Sequence, residues 1–325
     1  GVTKEVISEV RARANLVEVI SEVVVLKRTG KEFKGLCPFH KENTPSFNVN
    51  TDKGIFKCFG CNEGGDVFAF VQKIKGIGFY EAVRDLAHKY GVQLVETEEE
   101  KREHDKRNAV YMLYEQACVY YQRLLKDPVE GSEARDYLDS RGITEETIEK
   151  FRLGFASNTW DGLLNYLTKN SNASPRSLET AGLVRQKQSG TSHYDLFRHR
   201  LMIPICDERG RVIAFGGRTL GDDQIKYLNS PETPIYQKGL HLFGLNLAKE
   251  QIKKQDSVIV VEGYFDAITP HQYGFSNTVA TLGTALTADQ AKLLVRYTES
   301  KRVYLSFDAD EAGQRAVQRG VETLA

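Results

Sequence analysis

Residues 258–263 have the sequence Val-Ile-Val-Val-Glu-Gly, and residues 303–310 have the sequence Val-Tyr-Leu-Ser-Phe-Asp-Ala-Asp. Each apolar run has the length and the branched side chains of a buried strand, and each run ends in acidic residues. Strands are predicted at 258–261, 278–280 and 303–307, and helices are predicted to begin at Tyr264, Ala288 and Ala312. This alternation of strands and helices predicts a parallel α/β sheet.

Glu262, Asp308 and Asp310 follow two of these strands. The carboxyl ends of parallel strands meet at one edge of a sheet, where ligands bind, so neighbouring strands would bring the three acids together. Such a cluster favours Mg²⁺ or Mn²⁺, because these ions prefer oxygen ligands and the like charges would otherwise repel one another. Asp266 lies one helical turn after Glu262 and is expected to act as an outer-shell residue of the cluster. The alternative is that Asp308 and Asp310 cap the helix that begins at Ala312.

Two pairs of metal-ligand residues, Cys37-Pro-Phe-His40 and Cys58-Phe-Gly-Cys61, are separated by seventeen residues. Ligands three positions apart can bind one Zn²⁺ ion from a tight turn, and a hairpin at 45–56 would return the second pair to the first. Three thiolates and one imidazole fill a tetrahedral site, so a structural zinc is expected. The same cysteines argue for a reducing compartment and against a disulfide framework.

Cations and aromatic rings alternate around the cysteine pairs. They are Lys27, Arg28, Lys31, Phe33, Lys34, Phe56, Lys57 and Phe59. Surfaces of this kind bind single-stranded nucleic acid, because cations meet the phosphates and rings stack on unpaired bases. Lys27, Lys31, Lys34 and Phe56 are therefore candidate contacts for DNA. The alternative is that the phenylalanines form a hydrophobic core and the lysines a solvated face.

The 325 residues fit two or three domains, and a chain with 41% hydrophobic and 27% charged residues is a globular one. Forty-four Lys and Arg balance forty-four Asp and Glu, so a nucleic-acid surface has to be a local patch. No apolar run approaches the length of about 20 residues that a membrane span requires, and the N-terminus has no signal-peptide pattern. These features predict a cytoplasmic protein.

The segment at 200–215 carries the apolar stretches Ile203-Pro204-Ile205 and Val212-Ile213-Ala214-Phe215 on either side of a turn at 207–210, which predicts a β-hairpin. Gly216 and Gly217 are expected to end its second strand. Five arginines give this region a local basic excess: Arg198, Arg200, Arg209, Arg211 and Arg218. Arg209 and Arg211 belong to the turn and are interpreted as ordinary surface charge.

The segment Val261-Glu-Gly-Tyr-Phe-Asp266, taken with Asp308-x-Asp310, resembles the Toprim fold of primases, topoisomerases and some nucleases. Together with the zinc-ligand pairs, it resembles the bacterial replicative DNA primase family. The motifs Arg198-His-Arg-Leu-Met-Ile-Pro204, Phe215-Gly-Gly-Arg218 and Lys226-Tyr-Leu-Asn-Ser-Pro-Glu232 carry the same resemblance. It covers essentially the whole chain in the domain order of the family.

The resemblance implies a DNA-dependent RNA polymerase that makes short RNA primers from ribonucleoside triphosphates on single-stranded DNA during replication. By motif, the acidic metal centre comprises Glu262, Asp266, Asp308 and Asp310, and the basic groove comprises Arg141, Arg218, Lys226 and Lys238. Two Mg²⁺ or Mn²⁺ ions are expected at the acidic centre. The partner implied at the replication fork is the replicative helicase, which binds a further C-terminal domain.

The expected architecture is a multidomain α/β and α+β chain. It comprises a zinc ribbon at 1–95, a charged segment at 96–108, a mixed α+β polymerase subdomain at 109–255 and a Toprim-type parallel sheet at 256–325. Ten of the thirteen residues at 96–108 are charged, which indicates a solvated linker or the exposed start of a helix.

One departure from the family lies at the end of the sequence. The family has another acidic Asp-x-Asp pair beyond the third Toprim strand, and the sequence stops at Ala325, so reduced or absent polymerase activity is expected of this stretch alone. Two other classes remain open. A Toprim topoisomerase or nuclease shares the acids, and a topoisomerase adds a tyrosine that bonds to DNA. A non-catalytic, zinc-dependent module for single-stranded DNA would use the acids only as helix caps.

Overall fold

The computed structural model describes residues 2–94, 98–188, 190–283, 285–308 and 311–324. The chain divides into two compact units, Gly1–His104 and Asp105–Ala325, and each has its own hydrophobic core. Across the described ranges, no helix combines the length and the apolar character needed to cross a lipid bilayer.

Within its described residues, the first unit combines helices with a five-stranded antiparallel sheet, in which the strands are neighbours in chain order. The helices are α1 (Lys4–Arg13), α2 (Leu16–Ser21), α3 (Val67–Lys75) and α4 (Phe79–Lys89). The strands are β1 (Lys27–Thr29), β2 (Glu32–Gly35), β3 (Phe47–Asn50), β4 (Ile55–Cys58) and β5 (Gly64–Gly65). The side chains of Thr3, Asn15 and Asp66 cap α1, α2 and α3 by accepting backbone N–H groups.

The predicted hairpin at 45–56 is confirmed by the pairing of β3 with β4, in which Asn50 lies opposite Ile55. Phe47 and Phe56 face inward from these strands, and their ring centroids are 5.2 Å apart. Phe70 of α3 packs on both rings. The hairpin is therefore anchored by an aromatic core directly behind the cysteine pairs.

The second unit begins with helices around a four-stranded antiparallel sheet of order β11-β10-β9-β6. The helices are α5 (Glu98–Lys126), which starts in the first unit, α6 (Ser132–Ser140), α7 (Glu145–Lys150), α8 (Gly162–Ser171) and α9 (Pro175–Thr180). The sheet contains β6 (Gly154–Ala156), β9 (Arg200–Cys206), β10 (Val212–Thr219) and β11 (Tyr227–Asn229), and a separate hairpin pairs β7 (Val184–Gln186) with β8 (His193–Asp195). The β9–β10 pair confirms the hairpin predicted around 207–210.

A three-stranded parallel sheet of order β13-β12-β14 follows in the same unit. Its strands are β12 (Val258–Val261), β13 (Thr278–Ala280) and β14 (Val303–Leu305). Its helices are α10 (Leu245–Gln255), α11 (Tyr264–Gln272), α12 (Ala288–Leu294) and α13 (Glu311–Leu324). The predicted alternation of strands and helices is confirmed, and so is the parallel direction of the strands.

Two expectations about local structure need revision. The strand β10 does not end at Gly216 and Gly217, because it continues through both to Thr219. A Cβ atom at Gly216 would collide with the ring of Tyr264, and one at Gly217 would collide with the ring of Phe197, so these glycines permit a close approach instead of ending the strand. The charged segment at 96–108 is helical from Glu98 onward, and its side chains from Lys101 are exposed. Glu, Lys and Arg are good helix formers, which explains this outcome.

Candidate functional sites

Four side chains of the first unit converge on one point. The ligand atoms of Cys37, His40, Cys58 and Cys61 all lie within 4.8 Å of one another. The Sγ atoms of Cys37 and Cys61 are 3.8 Å apart, and Sγ of Cys58 is 3.8 Å from Nδ1 of His40. A tetrahedron with zinc–sulfur bonds of about 2.3 Å has edges of about 3.8 Å. The donor set and its spacing therefore fit a zinc ion.

The turns that carry these ligands direct backbone N–H groups at sulfur. Phe39 donates to Cys37 Sγ at 3.4 Å, and Gly60 donates to Cys58 Sγ at 3.3 Å. A Cβ atom at Gly60 would lie 2.7 Å from His40 Nε2, so this position requires glycine. Burial raises the pKa of the Cys37 thiol well above its usual range. A cation in the cluster would offset this cost, because it favours the thiolate.

Glu42 organises the surroundings of the cluster. Its carboxylate lies 3.2 Å from Nε2 of His40, and it accepts the backbone N–H of Cys37 at 2.7 Å. It also accepts the Ser46 hydroxyl, whose oxygen is 3.1 Å from Cys58 Sγ. One carboxylate thus orients three of the four ligands, as an outer-shell group does in metal sites. Motif spacing alone does not single out Glu42, although its place two residues after a ligand histidine is a usable signal.

The sheet next to the zinc ligands presents the predicted basic surface, with one correction. Lys27, Lys31 and Lys34 are exposed, and Lys27 lies directly opposite Lys34 across β1 and β2. Like charges in opposed positions destabilise a strand pair, so a bound anion would relieve this repulsion. Phe56 is only 1% exposed and belongs to the aromatic core, so the prediction that it stacks on a base is wrong. Phe59 is the ring that reaches solvent, with 72% of its surface exposed.

In the second unit, the pairing of β12 with β14 brings two of the predicted acids to one sheet edge. The backbone N–H of Ser306 donates to the carbonyl oxygen of Val260 at 2.9 Å. Glu262 and Asp308 each come two residues after this bond, at the carboxyl ends of neighbouring parallel strands. Glu262 is half-buried and Asp308 is exposed, and carboxylates so arranged fit a divalent cation. Asp310, the third predicted acid, lies outside the described residues.

The loops around this edge are held by local contacts. Asp266 accepts the backbone N–H of Gly263 at 3.0 Å, which closes the turn between Glu262 and α11. The carbonyl oxygen of Glu262 accepts the N–H of Leu282 at 3.0 Å. A Cβ atom at Gly313 would collide with the backbone of Asp308, so the first turn of α13 packs closely over this acid.

Two of the predicted basic residues meet at one aromatic ring. Cζ of Arg218 is 3.9 Å from the ring centroid of Tyr137, and Cζ of Arg141 is 5.3 Å from the same centroid. Arg141 also lies 4.8 Å from the ring of Phe265, in the first turn of α11. Since Phe265 comes three residues after Glu262, this basic pair lies beside the carboxylate edge.

The other two predicted cations lie in separate loops. Lys226 is exposed just before β11, and its carbonyl oxygen accepts the N–H of Thr219 at 2.9 Å. Lys238 begins a 3₁₀ turn at Lys238–Leu240. The start of α12 holds that turn, because Thr287 Oγ1 donates to Gly239 O and Gln290 Nε2 donates to His241 O, both at 2.7 Å.

Three family models match consecutive regions of the chain. A CHC2 zinc finger matches residues 2–103, and the N-terminal domain of the DNA primase catalytic core matches residues 120–249. A Toprim-like domain matches residues 259–325. The three matches follow the order of the zinc cluster, the antiparallel sheet with the basic residues and the parallel sheet with the acids.

Proteins similar to the whole chain agree with these matches. The crystal structure of the zinc-binding and RNA polymerase domains of the Aquifex aeolicus primase is 40% identical, with a TM-score of 0.60. That match covers 98% of this chain and 76% of the other. The chain belongs to the DNA primase family. The DNA primase of Synechocystis sp. is 44% identical over 326 residues, which span 98% of this chain and 51% of that protein. The chain thus spans about half the length of that relative.

A primase catalytic domain solved with bound single-stranded DNA is 42% identical to this chain, with a TM-score of 0.62. The match covers 68% of this chain and 69% of that one. The CHC2 match supports zinc at the Cys37, His40, Cys58 and Cys61 cluster. The Toprim-like match implies a divalent cation, and the matched residues include the sheet edge that carries Glu262 and Asp308.

The arginines of the β9–β10 hairpin have different roles. Arg200 is 3% exposed, and it donates to the carbonyl oxygens of Gly217 and Ile225 and to Asp223 Oδ2 at 2.5 Å. It therefore holds the strands together and does not add to a basic surface as expected. Arg211 pairs with Asp207 in the turn, in line with ordinary surface charge.

Proposed function

We propose that the protein containing this chain is a DNA-dependent RNA polymerase that makes short RNA primers on single-stranded DNA for replication. The observation that carries the proposal is the β12–β14 register, which puts Glu262 and Asp308 at one edge of a parallel sheet in a DNA primase chain. The similar catalytic domain with bound single-stranded DNA supports such a template.

In this proposal, Glu262, Asp308 and Asp310 hold two Mg²⁺ or Mn²⁺ ions. When bound, these ions stabilise the charge on the entering and leaving oxygens as a primer 3′-hydroxyl displaces pyrophosphate from a ribonucleoside triphosphate. Asp266 keeps the Glu262 turn closed through its bond to the Gly263 N–H. No protein nucleophile is required, because positioning and charge neutralisation supply most of the catalysis in phosphoryl transfer.

The basic residues bind phosphates in this proposal. Arg141 and Arg218 lie beside the first turn of α11, close to the acids, and guanidinium groups match phosphate oxygens with paired N–H donors. Lys226 and Lys238 add point charges from two separate loops. Together these four side chains orient the template and the incoming nucleotide at the carboxylate edge.

The zinc-binding unit recognises the template in this proposal. Its zinc site uses all four coordination positions for protein ligands, so the ion is structural and leaves no position for a substrate. Lys27, Lys31 and Lys34 would contact phosphates, and the exposed ring of Phe59 takes the stacking role first expected of Phe56. The replicative helicase is the proposed partner of the whole protein at the fork.

Incorporation of labelled ribonucleotides on single-stranded DNA, with Mg²⁺ or Mn²⁺, tests the proposal in the full-length protein. Glu262→Gln and Asp308→Asn each remove one charge from the carboxylate edge with little change in shape. We expect either variant to lose RNA synthesis by about 100-fold or more, as when a charge-stabilising group is removed from an active site.

The matched control is Glu322→Gln, an exposed position near the end of α13. Glu322 lies about 16 Å along α13 from Glu311, the first residue of that helix. Because this position is far from the carboxylate edge, we expect the variant to keep wild-type RNA synthesis. RNA synthesis that is unchanged in Asp308→Asn would contradict the proposed acidic centre. A covalent bond between a tyrosine and DNA would instead favour a topoisomerase.

A further inference from the structure

Tyr137 on α6 holds two guanidinium groups against one aromatic ring. The ring centroid lies 3.9 Å from Arg218 Cζ and 5.3 Å from Arg141 Cζ, and both distances are within the range of a cation–π contact, about 6 Å. Arg141 comes one helical turn after Tyr137, whereas Arg218 lies on β10, which is distant in sequence. Only the tertiary structure brings both arginines to the same ring.

The two cations lack a negative partner within the part of the chain that the structure describes, where no carboxylate forms an ion pair with Arg141 or Arg218. Arg218 donates one N–H to the carbonyl oxygen of Thr219 at 3.0 Å, and its Nε has no hydrogen-bond partner among the described residues. Two positive groups that contact the same ring repel each other, and an anion with several oxygens would relieve the repulsion.

The ring of Tyr137, and not its hydroxyl, makes these contacts. The hydroxyl oxygen is buried and has no hydrogen-bond partner in the described ranges. A flat ring lets a guanidinium group stack on it while the N–H donors at the edge of the group stay available. A carboxylate in the same place would use those donors and cancel the charge. The aromatic support therefore suits a site whose arginines bind an external phosphate.

We propose that Tyr137 is a positioning residue of the basic groove, which holds Arg141 and Arg218 together for a phosphate-bearing ligand. This inference rests on the proposed function, from which the groove takes its ligand. Tyr137 acts through the arginines and contacts neither the metal ions nor the reacting atoms. The phosphates belong either to the incoming ribonucleoside triphosphate or to the template backbone, and the two sources are separated by measurement.

The test compares Tyr137→Leu with Tyr137→Phe in the full-length protein. Tyr137→Phe keeps the ring and removes only a hydroxyl without a partner, so we expect wild-type kinetics. Tyr137→Leu removes the ring, and we expect about a tenfold loss in ligand binding with a smaller change in kcat. Two quantities are measured: the KM for ribonucleoside triphosphate at saturating template, and the Kd for an oligonucleotide of single-stranded DNA without nucleotide. A higher KM assigns the groove to the nucleotide, and a higher Kd assigns it to the template.

A double variant separates positioning from a general loss of structure. If Tyr137 acts through Arg218, adding Tyr137→Leu to a protein that already carries Arg218→Ala should change the KM and the Kd little further. Unchanged KM and Kd in Tyr137→Leu, equal damage in Tyr137→Phe, or full additivity with Arg218→Ala would each overturn the inference. Failure of the proposed function has a different signature, because RNA synthesis would then persist in Asp308→Asn and Arg218→Ala themselves.

Discussion

The Tyr264 hydroxyl donates a hydrogen bond to Oδ1 of Asn229 at 2.6 Å. This bond joins the first turn of α11, two residues after Glu262, to the last residue of β11. Gly216 of β10 lies opposite Asn229 of β11. Because glycine has no side chain, the Tyr264 ring can pack against this position. The carboxylate edge is thereby connected to the strand that carries Arg218.

Adding a methyl group at Gly216 tests this contact. A Cβ atom there collides with the buried ring of Tyr264, so we expect Gly216→Ala to lower the free energy of unfolding by about 2 kcal/mol. Gly239→Ala is the control, because its nearest contact would be an ordinary 3.5 Å. Urea denaturation measures both variants. Equal stability of the two would show that the ring moves aside without cost.

Glu42 is expected to control the affinity of the zinc site. Its carboxylate contacts His40, Cys37 and Ser46, and loss of such an outer-shell group typically weakens metal binding by about 10- to 100-fold. Glu42→Gln should therefore release zinc more readily to a competing chromogenic chelator. Glu63→Gln, at a solvent-accessible acid that pairs with Lys73, is the matched control. Equal zinc retention in the two variants would contradict the role of Glu42.

Phe56 and Phe59, which flank the ligand Cys58, predict opposite outcomes when each is replaced by alanine. Phe56→Ala removes a core ring and should destabilise the first unit by about 3 to 5 kcal/mol. Phe59→Ala removes an exposed ring, so thermal stability should be retained while affinity for single-stranded DNA falls roughly tenfold, the value of one stacking contact. Thermal denaturation and fluorescence anisotropy with a labelled oligonucleotide measure the two effects. Unchanged DNA affinity in Phe59→Ala would remove this ring from the proposed template surface.

His271 predicts a dependence of stability on pH. Burial lowers the pKa of His271 to about 4, although its Nε2 lies 2.8 Å from the Thr278 carbonyl oxygen. The ordinary value is 6.5, so the unfolded chain takes up a proton first as the pH falls. The neutral His271 therefore stabilises the fold above about pH 6.5. This contribution to the free energy of unfolding, up to roughly 3 kcal/mol, is lost progressively as the pH falls toward 4.

His271→Gln keeps a side-chain N–H for Thr278 and does not titrate. Free energies of unfolding for this variant and the wild type, measured from pH 7 to pH 4.5, should therefore converge or cross as the wild type loses stability. A difference that stays constant over this range would show that His271 becomes protonated without disturbing the fold.

Local patterns were sufficient for several features. The apolar run Val258–Val261, followed by a helical pattern from Tyr264, predicted a buried strand and the helix after it. The repetition of this pattern predicted the parallel sheet. The spacing of Cys37, His40, Cys58 and Cys61 predicted a single metal cluster. These signals are reliable because ligand geometry and the period of a helix or strand act over a few residues.

Local patterns failed where distant segments decide the outcome. Gly216 and Gly217 looked like strand breakers, yet the ring of Tyr264, far away in sequence, makes glycine necessary within the strand. Phe56 and Phe59 are three residues apart with similar neighbours, but alternation along β4 buries one and the turn exposes the other. Arg200 resembled a surface cation because the three acceptors that hold its buried guanidinium group come from other segments of the chain.

The sequence by itself determined the zinc ligands, the order of the strands and helices, and the two acidic strand ends, since each is encoded within a short stretch of chain. The tertiary structure decided which strands are neighbours, and thus that Glu262 and Asp308 share one edge. It also decided that Arg141 and Arg218 share the Tyr137 ring. Register and packing between distant segments depend on the burial of the whole core, which no single stretch of sequence contains.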